Sequence, residues 1–373
     1  MARETRFVVR GREQFDWPLF LAVAVIAIIG VVNLYSATSP YIADQRRIGL
    51  ADIYVTQVYW LVVGGLLGIL VAVVDYRHFE RLAYILYGAG ICSLVLVFLV
   101  AADIRGSSRW IEVGSFTFQP SEFMKVPIIL AVARYLADDQ RSEARTFIDL
   151  MPVLLICFVP AALVMAQPDF GTGMIYVLTV FTMLSMTRVR TGTLVTSVGL
   201  LAAAVPLTWK YVLRDYQKSR ISSFLDPEAD RTGTGWHAFQ SRTAIGNGGV
   251  WGEGFREGTQ NQFGFLPDQF SDFPFAVFAE DWGFVGSVLL LLIYAFVVIW
   301  SIRTASLAKD RFGAAVAIGV GALFFWHTFF NVGMALGLLP VVGITLPLFS
   351  YGGSNVLTTL VGFGLIMNIS MRR

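Results

Sequence analysis

Apolar and polar positions alternate along this chain in long blocks: hydrophobic stretches separated by short charged connections. Ten apolar spans stand out, at roughly 18–36, 53–74, 82–102, 122–136, 151–167, 172–187, 192–213, 274–301, 312–337 and 354–370. An α-helix needs about 20 apolar residues to cross hydrocarbon, and helices satisfy their own backbone there. The pattern therefore predicts an all-α polytopic membrane protein with ten transmembrane helices. The fourth, fifth and sixth spans are short and contain or abut Pro127, Pro152, Pro160, Gly171 and Gly173, which blur their ends. Residues 214–273 break the rhythm, being too polar to span and too aromatic for a plain linker. They read as one large loop between the seventh and eighth helices, of the kind that carries function. Nothing divides the chain further, so 1–373 is read as a single membrane domain.

Composition agrees with the block pattern. The chain is 56% hydrophobic and 14% charged, against about 25% charged for a soluble domain. The charged start MARETRFVVRGREQFDW, followed by PLFLAVAVIAIIGVVNLY, reads as a retained first span rather than a cleaved signal. A net charge of +2 without a Lys/Arg run of five gives no footing for nucleic acid. Cys92 and Cys157 lie within apolar runs and read as small buried residues, not a disulfide. Within two spans, GGLLG and GAG read as small residues that let helices approach closely.

Basic residues set the expected orientation. With the N-terminus inside, most of the 28 Lys and Arg fall on inside segments, among them Arg3, Arg77, Arg134, Arg188, Arg303 and Arg373. The short outside segments hold only Arg46, Arg47, Arg105, Arg109 and Lys125. The positive-inside rule then places both termini in the cytoplasm and the 214–273 loop outside.

Three polar places sit at the outer ends of spans. In IRGSSRWIEVGSFTFQPSEFMK (104–125), WIEVGSFTFQ alternates like a short hairpin, and Ser121 with Glu122 reads as the cap of the fourth helix. Arg109, Glu122 and Lys125 are ionisable groups at membrane depth, where charge is costly and usually functional. In AQPDFGTG (166–173), Asp169 needs a cation or donors, and Arg109 and Lys125 are both eligible. The third, LPVVGITLPLFSYGGSN (339–355), is irregular and uncharged, and such backbone must be buried in protein or line a cavity. All three are expected to converge on one outward cavity.

Other chemistries find no support. His78, His237 and His327 lack zinc-ligand spacing, and His327 reads as a satisfied core histidine. No GxSxG elbow is present, and GNGGVWGEG lacks the strand-to-helix setting of a phosphate loop. Asp268, Asp272, Glu280 and Asp281 crowd the start of the eighth span. Asp272 stands where a general base would serve, while Glu280 and Asp281 read as carboxylates favoured by a helix N-terminus. Two classes fit: a transporter or flippase, and an enzyme acting on a lipid-linked substrate at the outer surface. One-sided placement of the polar residues and the lack of an internal repeat favour the enzyme.

Four segments carry a resemblance to a known family: SSRWIEVGSFTFQPSE, QPDFGTG, the run from FQSRTAIGNGGVWGEG through GTQNQFGFLPDQFSDFPFAVFAEDWG, and NVGMALGLLPVVGITLPLFSYGGSN. In this order they resemble the SEDS family, the RodA/FtsW/SpoVE proteins of shape, elongation, division and sporulation, from about residue 18 to 370. The chain departs from the family pattern where relatives often read HTDFIF and AEE and it has FSDFPF and AED.

The resemblance implies ten transmembrane helices in the bacterial cytoplasmic (inner) membrane, with the active site facing outward. It implies a peptidoglycan glycosyltransferase that polymerises lipid II, an undecaprenyl-pyrophosphate-linked disaccharide-pentapeptide, beside a class B penicillin-binding protein. The family's essential aspartate maps to Asp272, and its charged cavity residues map to Arg109, Glu122, Lys125 and Asp169. Gln119 and Ser121 fall in the same motif. On this reading Asp272 takes the proton of the acceptor hydroxyl as it attacks the anomeric carbon, with inversion. Arg109 and Lys125 would meet phosphate charge, and Glu122 and Asp169 would orient them. A divalent cation, Mg or Mn, at the pyrophosphate is compatible with this chemistry, but no ligand cluster in the sequence demands one. The short charged ends point to the elongation branch rather than the division branch. A lipid II flippase is the alternative, using the same cavity and substrate.

Overall fold

The computed structural model describes residues 15–42, 52–100, 102–104, 107–113, 116–139, 143–207, 210, 215–225 and 234–373. Arg3, Arg46, Arg47 and Arg105, used for the orientation, lie outside the described residues.

The described chain is a helix bundle with one small sheet. Three helices come first: α1 (Trp17–Ile42), α2 (Ile53–Val73) and α3 (Tyr76–Val100). A three-stranded antiparallel sheet follows, of β1 (Ala102–Ile104), β2 (Ser107–Val113) and β3 (Phe116–Phe118). Then come α4 (Pro120–Asp138), α5 (Phe147–Ala166), α6 (Phe170–Leu184) and α7 (Thr191–Leu207). Within the expected loop lie α8 (Asp215–Leu225), α9 (Thr234–Asn247) and the single turn α10 (Thr259–Gln262). The chain closes with α11 (Pro274–Leu307), α12 (Arg311–Ala335) and α13 (Gly353–Met371).

Each predicted span falls on one of these helices. Seven are long and apolar enough to cross a membrane: α1, α2, α3, α5, α11, α12 and α13. The other three fall short for visible reasons. α4 carries Glu122, Lys125, Arg134 and Asp138, α6 has 15 residues, and α7 has 17 with Pro206 inside. Large apolar side chains such as Leu99, Ile69, Phe284 and Ile299 are exposed along the long helices, as lipid contact requires.

Small residues set the closest approaches. A Cβ on Gly64 would lie 2.7 Å from Leu360 Cδ1, and one on Gly68 would lie 2.8 Å from Leu360 O, so α2 and α13 touch nearly backbone to backbone. Gly65 and Gly88 meet nothing, so only part of GGLLG and GAG serves packing. Cys157 is buried as expected, but Cys92 is exposed on α3, which corrects its reading as a buried residue.

The expected hairpin is present: β2 pairs with β3 in the register Ile111↔Phe118, Glu112↔Thr117, Val113↔Phe116. It leads directly into α4, whose cap differs from expectation. Gln119 holds the N-cap position without a side-chain cap bond, and Pro120 takes the first helical position, where its missing N–H costs nothing. Ser121 is therefore inside the helix, and its hydroxyl is free for other work.

Candidate functional site

The three polar places do meet. Gln119 N donates to Ser354 Oγ at 3.3 Å, which joins the start of α4 to the start of α13. A Cβ on Gly171 would lie 3.0 Å from Val342 O, which sets the start of α6 against the irregular 336–352 segment. At this junction Asp169 caps α6, accepting from Thr172 N at 3.3 Å. Its Oδ2 accepts from Gln119 Nε2 at 3.0 Å and from Ser121 Oγ at 3.3 Å. Arg109 Nη1 lies 3.5 Å from its Oδ1, so of the two eligible cations Arg109 is the one that pairs with Asp169. Asp169 is buried and Arg109 only partly so, which leaves the guanidinium facing the open side of the junction.

Lys125 is one turn deeper and belongs to a different group. Its Nζ donates to Glu122 Oε2 at 2.6 Å and lies 2.9 Å from His327 Nε2. His327 Nδ1 stands 3.0 Å from Thr345 O, a carbonyl that can only accept. Nδ1 therefore carries the proton, and Nε2 accepts from Lys125. Asn355 Nδ2 completes the group by donating to Glu122 Oε2 at 2.9 Å. A small cavity with room for about one water lies against Lys125, His327, Asn355 and Thr358. Lys125, Glu122, His327 and Asn355 are all buried, so Lys125 is not a surface phosphate ligand in this conformation. The reading of His327 as a satisfied histidine holds.

Asp272 ends a tight turn just before α11. The Asp268 carbonyl accepts from Ser271 N at 3.1 Å and from Asp272 N at 3.0 Å, and Asp268 itself adopts φ 44. The Asp272 carbonyl accepts from Asn331 Nδ2 on α12 at 2.9 Å. A Cβ on Gly343, at φ 73, would lie 3.6 Å from Asp272 Oδ2, so the 336–352 segment flanks the carboxylate. Withdrawal from water pushes the Asp272 carboxyl up to about 6, with the Asp268 charge adding to the rise. Arg220 of α8 and Arg109 oppose it, and so does the Ser271 hydrogen bond. A half-buried carboxylate within electrostatic reach of two arginines can take up a proton near neutral pH.

Glu280 and Asp281 prove to be something other than helix-start carboxylates. α11 begins at Pro274 and has no acidic residue in its first turn, so both stand about two turns inside the helix. At Gly283 (φ 65, ψ −163) α11 is kinked, and its freed backbone groups bond the glycine-rich 248–254 segment. Glu253 N donates to Glu280 O at 2.9 Å, while Phe284 N donates to Gly249 O at 2.9 Å. The Glu280 carboxylate accepts from Gln260 N at 2.8 Å and from Asn261 N at 3.2 Å. Asp281 accepts from Ser36 Oγ on α1 at 2.5 Å. These two carboxylates fasten the 248–261 segment to α11 and α11 to α1, and GNGGVWGEG is the glycine surface that allows the contact. A Cβ on Gly252 would lie 2.2 Å from Asp281 O.

Sequence reasoning placed Asp272, Arg109, Glu122, Lys125, Asp169, Gln119 and Ser121, and the structure divides them between three adjoining groups. It missed Arg220, His327 as the partner of Lys125, Asn331 and Asn355. The available signal was polarity inside apolar spans, which marks His327 and Asn331; nothing marked Arg220 within a polar loop. Among the described residues no three His, Cys, Asp or Glu side chains gather in a way that could hold a metal ion.

A helix bundle with apolar outer faces and this polar site at one end defines a polytopic membrane protein. The family model for the FtsW/RodA/SpoVE cell cycle proteins matches residues 16–373, and the chain belongs to that family. It is 36% identical over 365 residues to the peptidoglycan glycosyltransferase MrdB of Escherichia coli K12, covering 97% of each chain. Among solved structures it resembles a chain of a peptidoglycan synthase complex described as coordinating polymerization and crosslinking. That match has a TM-score of 0.81 and 32% identity, over 95% of this chain and 97% of that one. It also resembles the rod shape determining protein RodA of Thermus thermophilus, with a TM-score of 0.69 and 30% identity, over 95% and 96%.

Proposed function

We propose that this chain is a peptidoglycan glycosyltransferase that polymerises lipid II into glycan strands for cell elongation and shape. The observation that carries the reading is the Asp272 carboxylate, held half-buried within electrostatic reach of Arg109 and Arg220 with its pKa raised to about 6. Above that value it is ionised and can accept the proton of an acceptor sugar hydroxyl as the oxygen attacks the anomeric carbon. The bond to the lipid pyrophosphate breaks, configuration inverts, and a β-linkage forms. Arg109 and Arg220 complement phosphate charge at the same place. Asp169 orients Arg109, and Gln119 and Ser121 orient Asp169. Lys125 and Glu122 support the site from within the bundle. A Mg or Mn ion at the pyrophosphate is compatible with this chemistry, and polymerisation that survives chelation by EDTA would exclude one.

The membrane arrangement that goes with this function has ten spans, with α4 and α6 crossing in the shelter of the longer helices and α7, most of whose described side chains are exposed, at the edge. Both termini face the cytoplasm of a bacterial inner membrane, and Asp272 faces outward. Arg134, Arg145, Arg311 and the ion pairs Arg134–Asp138 and Arg145–Asp139 then share the inner end. A class B penicillin-binding protein is the expected partner, crosslinking the strands made here. The test is the full chain in liposomes with labelled lipid II and no other polymerase. A ladder of glycan products supports the reading, whereas lipid II crossing the bilayer without products identifies a flippase.

A further inference from the structure

We infer that Asn331 is the positioning residue for Asp272: its side-chain amide pins the Asp272 backbone to the 336–352 segment and so sets where the carboxylate stands. The inference rests on Asp272 acting as the base of the proposed reaction. Asn331 lies on α12, fully buried. Its one amide nitrogen donates to two carbonyls, Asp272 O at 2.9 Å and Ile344 O at 2.8 Å. Both amide protons are therefore used, and both acceptors are carbonyls, which fixes the orientation of the amide. Its Oδ1 is buried without a hydrogen-bond partner among the described residues. A buried acceptor left unmet is costly, so an apolar residue would serve simple packing better. What an apolar residue could not supply is the pair of donated bonds.

Those bonds join the two walls of the site. Ile344 follows Gly343, the residue that flanks Asp272 Oδ2. One turn earlier on α12, His327 Nδ1 donates to Thr345 O at 3.0 Å, so the helix grips two consecutive carbonyls of that segment. At the segment's other end Tyr351 N donates to Phe270 O at 2.8 Å and holds the far side of the Asp272 turn. Without Asn331 the turn loses its hold on α12 while keeping the Tyr351 contact and the bond from Gln269 Nε2 to Ala37 O at 2.6 Å, and the carboxylate at its end can swing away from the flanking backbone. An aspartate has only two side-chain torsions, so its carboxylate goes where its backbone goes.

The test uses the purified full chain with labelled lipid II, measuring rate against lipid II concentration and against pH. The variants are Asn331→Ala, Asn331→Asp, Asp272→Ala and Ser241→Ala. Ser241 is equally buried and donates to Ala335 O at the end of α12 at 2.8 Å, so its loss perturbs packing without touching Asp272. Asn331→Ala is expected to lower kcat about 10–100-fold with KM nearly unchanged, as a small misplacement of a reacting group does. Its acid limb should fall below that of the unsubstituted chain, because the freed carboxylate regains water. Asn331→Asp, with the same shape but without the donor, should do at least as much harm, and it carries the test if the alanine variant does not fold. Normal kcat in either Asn331 variant beside an inactive Asp272→Ala overturns this inference alone. An equal loss in Ser241→Ala, or a lowered kcat with an unmoved acid limb, also overturns it, by marking a general packing effect. An active Asp272→Ala instead overturns the reading of Asp272 as the base.

Discussion

Lys125 and Glu122 form an ion pair 2.6 Å apart, one turn apart on the same face of α4, with side chains only 1% and 10% exposed. Asn355 and His327 supply the remaining bonds, so the pair ties α4, α12 and α13 together at the level of the site. Removing one partner of such a pair leaves a buried charge without compensation.

Lys125→Met is therefore expected to cost about 3–5 kcal/mol of stability, whereas Lys125→Met with Glu122→Gln should recover most of it. Thermal unfolding of the purified variants in detergent checks this. A double variant no more stable than the single one would show that the pair is not acting as a unit.

The acid limb of the polymerisation rate should lie near pH 6. The pKa of Asp272 is raised by burial and by Asp268, so the base is lost to protonation as pH falls through that value. Asp268→Asn removes the neighbouring negative charge and should move the limb to lower pH. Arg220→Met removes an opposing positive charge and should move it to higher pH. Rate profiles between pH 5 and 8 decide both signs.

Gly283→Ala should be strongly destabilising for the 248–261 segment. Its φ of 65 with ψ −163 belongs almost to glycine alone, and the added Cβ would lie 2.3 Å from Gly252 N. The strained backbone alone costs about 1–3 kcal/mol, before the clash is counted. Hydrogen exchange should show lost protection at Glu253 and Gly254, the amides that bond across the kink.

Helix positions were legible in the sequence because lipid demands long apolar runs, and each predicted span falls on a helix. The hairpin was legible from alternation in WIEVGSFTFQ. Other features were hidden because they depend on contacts between distant segments. Lys125 and Arg109 look alike in the sequence, yet one meets His327 from a helix eight elements away while the other meets Asp169. The carboxylates at 280 and 281 looked like helix-start charges although the predicted span already begins at 274; what leaves no mark in an apolar pattern is the kink at Gly283, which opens the helix to the 248–254 segment. The helices α8 and α9 were hidden inside a polar stretch that has no membrane to give it a period.

In the proposed reaction everything turns on Asp272 as the base of glycan polymerisation. The most direct measurement is the rate at which the purified chain, with a class B penicillin-binding protein added, polymerises labelled lipid II, beside Asp272→Ala of equal thermal stability. The unsubstituted chain should give long glycan products and the variant none. Products of comparable length and rate from Asp272→Ala would contradict that role.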